Sequence, residues 1–454
     1  MLIDQEYLTK LDEKFDRIIR RAKKRLDHYA PDVNVNSPKQ LAVYLFDELK
    51  LKPFGGVKAD GQGIPEDIIS EEIGTVTDPD AIDHWQSARI GLYEGAGTSA
   101  SGRGLSSRST SAFMLFWLAQ QHEYPRMLID HKRALKRKKT YCGNVWKHMW
   151  PDGRIRPDYR LAGTKHGRYK TGTPTIHQLP NGPEIYNVYM ADPGWVILHA
   201  DFKQADMRMM AHFSGDERLM EWLKGDPHTA VVKDITGMTD KQLAALDPAD
   251  LKRRRMAAKM INFGIPYGRS ARNLAPQLGI SVKAAAKYIK LYWQKLPVLK
   301  AWIDSREALI RRDQEVVSPF GNKRRFPLIT SRKHSSECGR LAVNFPIMAA
   351  VNYITTVGQL DSITALREAG IPVKVWPHIH DSFNLLVPIS RWREAVPIMA
   401  KAMIESPWSV DITDVEFPPE VSAGTRWGTC QNTVVYATDW EPDSFRDLET
   451  EWAE

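Results

Sequence analysis

Cysteine is scarce. The three present, Cys142, Cys338 and Cys430, are far apart and odd in number, so neither a disulfide framework nor a Cys-x-x-Cys zinc site is available. A reducing cytoplasm, in a bacterium or a phage-infected cell, is the compartment this suits. No run approaches the ~18 consecutive apolar residues of a membrane span. The opening stretch MLIDQEYLTKLDEKFDRIIRRAKKRL has the charge pattern of an amphipathic helix rather than a signal peptide, and no membrane partner is expected. Internal repeats are missing, which excludes a solenoid, and so is a GxxxxGK[ST] loop, which excludes the P-loop route to a nucleoside triphosphate. Acidic residues fall short of basic ones, 55 against 63. The resulting +8, with a pI near 9.1, suits a polyanionic partner without requiring one.

What is present is a chain of 454 residues, 43% hydrophobic and 26% charged, the composition of a globular protein with room for two to four packing units. Apolar periodicity predicts helices over 3–28 and 37–51, the second opened by a capping box, Ser37-Pro38-Lys39-Gln40, and closed by Pro53. Residues 54–110 lose periodicity and end in GAGTSASGRGLSSRSTS, a loop or insertion. Helix returns near Ser111 and carries the basic run HKRALKRKKTY, which by itself describes a solvated charged face as readily as a binding surface. Strand character follows over 185–201, helix over 204–291, a hairpin over 316–327 and helix again from about Arg340. The stretch VKVWPHIHDSFNLLVP, 373–388, predicts strand, tight turn and strand, and the last forty residues are weakly patterned.

Two aspartates sit where such elements end. Asp201 leaves the apolar run WVIL directly into an amphipathic helix, and Asp381 occupies the turn of the second hairpin. Each alone is more readily a cap or a turn residue. Brought together on one sheet, they would hold two divalent cations ~3.5 to 4 Å apart, the arrangement for in-line phosphoryl transfer, and Mg²⁺ prefers such oxygen ligands. Between them, in RRRMAAKMINFGIPYGRSARNLAPQLGIS, Arg255, Lys259, Phe263 and Tyr267 recur every fourth residue, a stripe that drifts only about 120° around a helix. Two cations followed by two aromatics suit a triphosphate at one end and a base at the other. A mixed amphipathic boundary would give the same spacing.

These segments resemble, in order, three motifs of the family A DNA polymerases, the DNA polymerase I-like group. DFKQADMRMMAHFSGD resembles the first catalytic motif, RRRMAAKMINFGIPYG the finger-helix motif and HIHDS the third; GRYKTGTPTIHQLP, DPHT, SPFGNKRRFP and RLAVNFP match as well. The resemblance covers only the polymerase region, from near residue 1 to at least 388. It implies an α/β, mostly helical right-hand fold with an antiparallel palm sheet and helical fingers and thumb. The expected division is a palm segment over 1–19, thumb over 20–145 with an insertion at about 55–105, palm over 146–212, fingers over 213–347 and palm again over 348–454. The resemblance further implies that Asp201 and Asp381 bind two Mg²⁺ ions, with Mn²⁺ able to substitute, and that Lys259 is the general acid for pyrophosphate. Arg255, Lys259, Phe263, Tyr267, His228, Gln204 and Asp206 would surround the incoming dNTP. Arg168, His380, Arg340 and Asn344 would meet the primer-template DNA, and Lys132, Lys136 and Lys139 would grip its backbone.

Four departures from the family pattern stand out. Asp206 replaces the usual glutamate that excludes a ribose 2′-hydroxyl, and Ser382 replaces the glutamate after the His-Asp pair. Met348 replaces a minor-groove glutamine, and Pro266 interrupts the finger helix, ending or kinking it before Tyr267. The expectation is a monomeric DNA polymerase without a proofreading exonuclease, of phage or prophage type. The 55–105 insertion is most simply a flexible linker; a clamp, processivity factor, other replisome protein or extra DNA contact is the functional alternative. A single-subunit RNA polymerase shares the fold and a His-Asp-Ser motif, but INFGIPYG and the carboxylate at Asp206 favour the DNA-polymerising form. A catalytically retired DNA-binding scaffold would not need Asp201, Asp381, Arg255 and Lys259 together, and a His-Asp phosphohydrolase would need more histidines.

Overall fold

The structure is a computed structural model that describes residues 1–53, 108, 110–119, 121–161, 163–164, 166–180, 182–278, 280–331, 333–412, 414–430 and 434–436. The insertion expected at 55–105 lies outside the described residues. The chain gathers into two compact units: Ile3–Arg156 with Gln178–Val188, and Met1–Leu2 with Pro157–His177 and the chain from Tyr189 on.

The first unit is helical. Helix α1, Gln5–Tyr29, starts where the Asp4 carboxylate accepts the Tyr7 N–H at 2.8 Å, and buries Leu8, Leu11, Phe15, Ala22 and Leu26 as one stripe. Against it packs α2, Glu123–Lys136. The Ser37 capping box forms by half. Ser37 Oγ accepts the Gln40 N–H at 3.4 Å, but the Gln40 side chain turns to the Asn34 N–H, 2.7 Å away, and the helix Pro38–Val43 gives way to a π turn, Tyr44–Glu48. Much of the basic run is neutralised inside this unit: Lys138 pairs with Asp12 and Asp16, and Arg137 with Glu184. The strand character expected from 185 begins later, because Pro183 starts a short helix, Pro183–Tyr186.

The second unit is built on a five-stranded antiparallel sheet. Its elements, in chain order, are strand β1, Trp195–Phe202; helices α3, Ala205–Ser214, α4, Pro227–Thr236, α5, Pro248–Gly264, and α6, Ser335–Glu368; strands β2, Lys374–Ile379, and β3, Ser382–Pro388; helix α7, Trp392–Ile404; and strands β4, Pro419–Gly424, and β5, Val434–Tyr436. The strand order is β5-β4-β1-β3-β2, with β1 in the centre. Alternation along β1 decides which residues reach the core. Val196, Leu198, Ala200 and Phe202 join α6 and α7 in the large hydrophobic core, and so do Phe383, Leu385 and Val387 of β3 and Val421 and Ala423 of β4. Gly358 of α6 lets the Phe202 ring and Met403 come within 3.5 and 3.6 Å of where a Cβ would stand. The other face of the sheet therefore carries Asp201 beside Ser382 and Glu420, and His199 beside Asn384 and Ser422.

The two expected hairpins form, one from Glu315–Val317 and Lys323–Arg325, the other from β2 and β3 with His380 and Asp381 as its turn. Helix α6 begins at Ser335, five residues before the position expected from apolar spacing. By composition α6 is long and apolar enough to cross a membrane, but 67% of its most apolar window is buried within the protein, as befits the core helix under the sheet. Helix α5 ends at Gly264, as Pro266 requires. The four-residue stripe thus holds for Arg255, Lys259 and Phe263, whereas Tyr267 lies in the turn beyond the helix.

Candidate catalytic and nucleotide site

Asp201 is the last but one residue of β1, and its register partner on β3 is Ser382, the residue after Asp381. The pairing thereby brings the two aspartates to the same end of the sheet's strands. Asp201 Oδ1 is buried without a hydrogen-bond partner among the described residues. Burial, and then the neighbouring charges of Asp381 and Glu420, push this carboxyl up to about 8. The hairpin turn that carries Asp381 is held by a left-handed His380, φ +56°, and by the Thr355 hydroxyl, which donates to the Asp381 backbone carbonyl at 3.4 Å. No hydrogen bond or ion pair among the described residues reaches the Asp381 carboxylate, although its charge acts on Asp201, Asp206, Arg168 and Tyr267.

Five residues on, in the first turn of α3, Asp206 is treated differently. Its carboxylate accepts the Tyr267 hydroxyl at 2.8 Å and pairs with Arg168 at 3.4 Å. Burial raises the Asp206 pKa, opposed mainly by Arg168. For Arg168 burial pulls the other way, and Asp206 and Asp381 outweigh it to hold the guanidinium above its ordinary value. Tyr267 is pushed well up by burial, then by Asp206, so its proton stays in the hydrogen bond. Gln204, whose φ of +53° turns the chain from strand into α3, leaves its side-chain oxygen buried and unpartnered.

His380 stacks on His177 at 4.9 Å, and its Nε2 lies 3.3 Å from the His177 carbonyl. Burial, then Arg168 and His177, lower its pKa to about 4, so the ring is neutral at pH 7.

The cations stand on the exposed face of α5. Arg255 Nε donates to Asp226 Oδ2 at 2.9 Å, which leaves the terminal nitrogens of the guanidinium without a partner among the described residues. Asp226 is itself the N-cap of α4 and accepts from Thr229; these bonds from Arg255 and Thr229 outweigh burial and hold it at about 2. Lys259, one turn on, is exposed with no ion pair among the described residues. His228 lies in the first turn of α4, its ring centroid 5.8 Å from that of Phe263. One end of α5 thus gathers Arg255, Lys259 and His228 beside the N-terminus of α4, an anion-attracting arrangement of three donors and a helix dipole.

Other expected residues are dispersed. Arg340 is exposed on α6 and donates to Ser336 Oγ at 2.9 Å, and Asn344, one turn on, keeps its side-chain oxygen buried and unpartnered. Lys132, Lys136 and Lys139 belong to the first unit, on α2 and the turn after it; Lys139 is exposed, and burial lowers the Lys132 pKa. Three residues with a place in the site escaped sequence reasoning. Asp226 and Asn262 lie inside quoted segments, DPHT and INFGIPYG, without having been singled out, and Glu420 lies in the weakly patterned tail.

The chain is similar to the thermostable DNA polymerase I of Thermus filiformis, 28% identical over 403 residues that cover 87% of this chain and 41% of that protein. It is also similar to the thermostable DNA polymerase I of Thermus aquaticus, 30% identical over 329 residues, 70% of this chain and 38% of that protein. The chain spans less than half the length of these curated relatives. In fold it resembles the POL domain of Pol1 from M. smegmatis, solved in complex with DNA primer-template and dNTP, with a TM-score of 0.75 at 22% identity, covering 95% of this chain and 68% of that one. The antiparallel sheet flanked by long helices is therefore a polymerase-domain fold. With the sequence profile of DNA polymerase family A matching residues 88–429, well over half its length, the chain belongs to that family.

Proposed function

We propose that the chain extends the 3′ end of a primer paired to a DNA template, taking deoxynucleotides from dNTPs, and that it does so as a monomer without trimming the primer. The observation that carries this reading is the pair Asp201 and Asp381 at the same end of neighbouring strands, with a buried Asp201 oxygen that no described residue satisfies. An uncompensated buried carboxylate beside a second one is costly, and a divalent cation removes that cost. Hard carboxylate oxygens suit Mg²⁺, with Mn²⁺ as a substitute. Among the described residues no three ligating side chains converge, so substrate phosphates and water would complete the coordination. Bound there, two such ions would supply the charge that activates the primer hydroxyl and neutralises the leaving pyrophosphate.

The remaining roles belong to the chain itself. Arg255 and Lys259 hold the triphosphate, and Lys259 protonates the pyrophosphate as it leaves. Phe263 packs on sugar and base, and Tyr267, anchored through its hydroxyl to Asp206, closes the pocket of the nascent pair. Asp206 and Gln204 border the sugar. Arg168, His380, Arg340 and Asn344 meet the DNA near the primer end, while Lys132, Lys136 and Lys139 bind duplex phosphates. In this reading residues 1–19, 146–212 and 348–454 make the palm, 213–347 the fingers and 20–145 the thumb.

Extension of a labelled primer on a DNA template with Mg²⁺, offering dNTPs and rNTPs separately to the wild type and to Asp201→Asn, tests the proposal. Growth with dNTPs that the substitution abolishes is the expected result. Growth that survives in Asp201→Asn, or an inert wild type, would remove the proposal, and equal growth with rNTPs would transfer it to an RNA polymerase.

A further inference from the structure

Behind the side chains that face the nucleotide lies a contact that none of their roles requires. Asn262 is wholly buried on α5, three residues beyond Lys259. Its Nδ2 lies 3.3 Å from the Pro227 carbonyl oxygen and 3.1 Å from His228 Nδ1. A carbonyl oxygen can only accept, so the Asn262 atom turned to Pro227 is the donating NH₂. The same NH₂ meets His228 Nδ1, which must therefore accept, and the imidazole proton sits on Nε2. The reverse amide orientation would set carbonyl against carbonyl. Asn262 Oδ1 is left buried and unpartnered, a cost that an apolar residue at this position would avoid.

His228 Nε2 is not among the buried unsatisfied atoms, and no described residue bonds to it, so on this half-buried residue it keeps some contact with solvent. Burial, with Lys259 and Arg255 adding to it against Asp226, lowers the ring's pKa to about 4. The imidazole is neutral at pH 7 and can donate only from the nitrogen that carries the proton. With the proton on Nδ1, a lone pair would face the phosphate oxygens instead.

We propose that Asn262 is a positioning residue: by donating to Nδ1 it holds His228 as an Nε2–H donor toward the phosphates of the incoming nucleotide. The proposal rests on the polymerase reading above, and its test separates the two. Nitrogen NMR of the full chain with labelled histidine, the His228 signals assigned by their loss in His228→Gln, reads the tautomer directly. A protonated Nε2 and a bare Nδ1 at pH 7 are expected; a protonated Nδ1, or an even mixture, overturns the proposal. In Asn262→Asp, whose carboxylate can only accept, the proton is expected on Nδ1, and a signal unchanged from wild type overturns the proposal as well.

Primer extension under dNTP titration then reads the consequence. His228→Gln should raise KM for dNTP about tenfold with kcat little changed, and Asn262→Leu about fivefold. The double variant should lose no more than His228→Gln alone, because Asn262 acts through His228. Losses that multiply would mean that Asn262 serves only to pack α5 on α4, and would overturn the proposal. If Asn262→Leu fails to fold, Asn262→Asp takes its place in the same cycle. A wild type that extends no primer would sink the polymerase reading and the phosphate role with it, while the NMR result would still decide the tautomer.

Discussion

Asp201 and Asp206 are five residues apart, both carboxylates pushed upward by burial, yet the protein completes one and leaves the other open. Asp206 has Tyr267 and Arg168 as partners. Asp201 has an orphan oxygen and the charges of Asp381 and Glu420 for company. The first arrangement is finished in the protein alone and fixes the position of an aromatic ring. The second is left open among the described residues, and the proposed cation would finish it. A buried acid without a partner therefore marks where a ligand belongs, and a buried acid with two partners marks a wall of the site.

Neutralising each acid in turn tests that difference most severely. Asp201→Asn should lower kcat by roughly 10³-fold or more, because on the proposed reading it removes a cation ligand whose charge is needed in the transition state. Asp206→Asn keeps an acceptor for Tyr267 and loses only the charge facing Arg168, so a loss of about tenfold is expected. Steady-state primer extension of both variants decides the matter; equal losses would erase the distinction between cation site and wall.

A second consequence is thermal. The Asp201 carboxyl titrates at about 8 in the folded, cation-free chain, against an ordinary value near 4. Between those values the folded state keeps a proton that the unfolded chain releases, so this group's contribution to stability is greatest below about pH 4 and is lost as pH rises toward 8. The buried histidines held at about 4 act in the opposite sense below pH 6.5, so the signature is read above it: from pH 6.5 to 8 the Tm of the cation-free wild type should fall relative to that of Asp201→Asn. Mg²⁺ or Mn²⁺, bound as proposed, would displace the proton and should raise Tm more at pH 8 than at pH 6. Scanning calorimetry with and without chelator checks this, and a cation effect independent of pH would contradict it.

How much of this was legible in the sequence depended on whether a residue's role was local. Asp201 and the His380-Asp381 turn could be read because apolar runs of strand length end at them. Pro266 foretold the end of α5, although the every-fourth-residue stripe disguised the fact that Tyr267 lies past that end. What could not be read depends on distant partners. Gln40 satisfies the pattern of a capping box, but a nearby free N–H on Asn34 captured its side chain. Asn262 differs from a surface asparagine only through the Pro227 and His228 that the fold sets beside it. Glu420 reaches the Asp201 row by strand pairing alone. The resemblance to a known family pointed to Asp201 and Asp381 without saying which carboxylate the described residues would leave unsatisfied.

The smallest expected effect concerns the sugar. Asp206 is drawn back by two anchors, the Tyr267 hydroxyl at 2.8 Å and Arg168 at 3.4 Å, and its side chain is 13% exposed. In Asp206→Glu the carboxylate gains one methylene, and keeping both anchors forces that methylene toward the sugar side of the pocket. A single methylene discriminates by roughly 10- to 200-fold where it is tightly packed, and by less where the neighbouring groups can yield. Here Tyr267 stands in a turn rather than on the helix, free of the α5 hydrogen-bond ladder, and it can move with the longer acid. The dNTP-to-rNTP ratio of kcat/KM should therefore rise only severalfold, while kcat for dNTPs stays close to wild type. If the ratio did not move, the anchors would have followed the glutamate, and Asp206 would serve to hold Tyr267 without measuring the sugar.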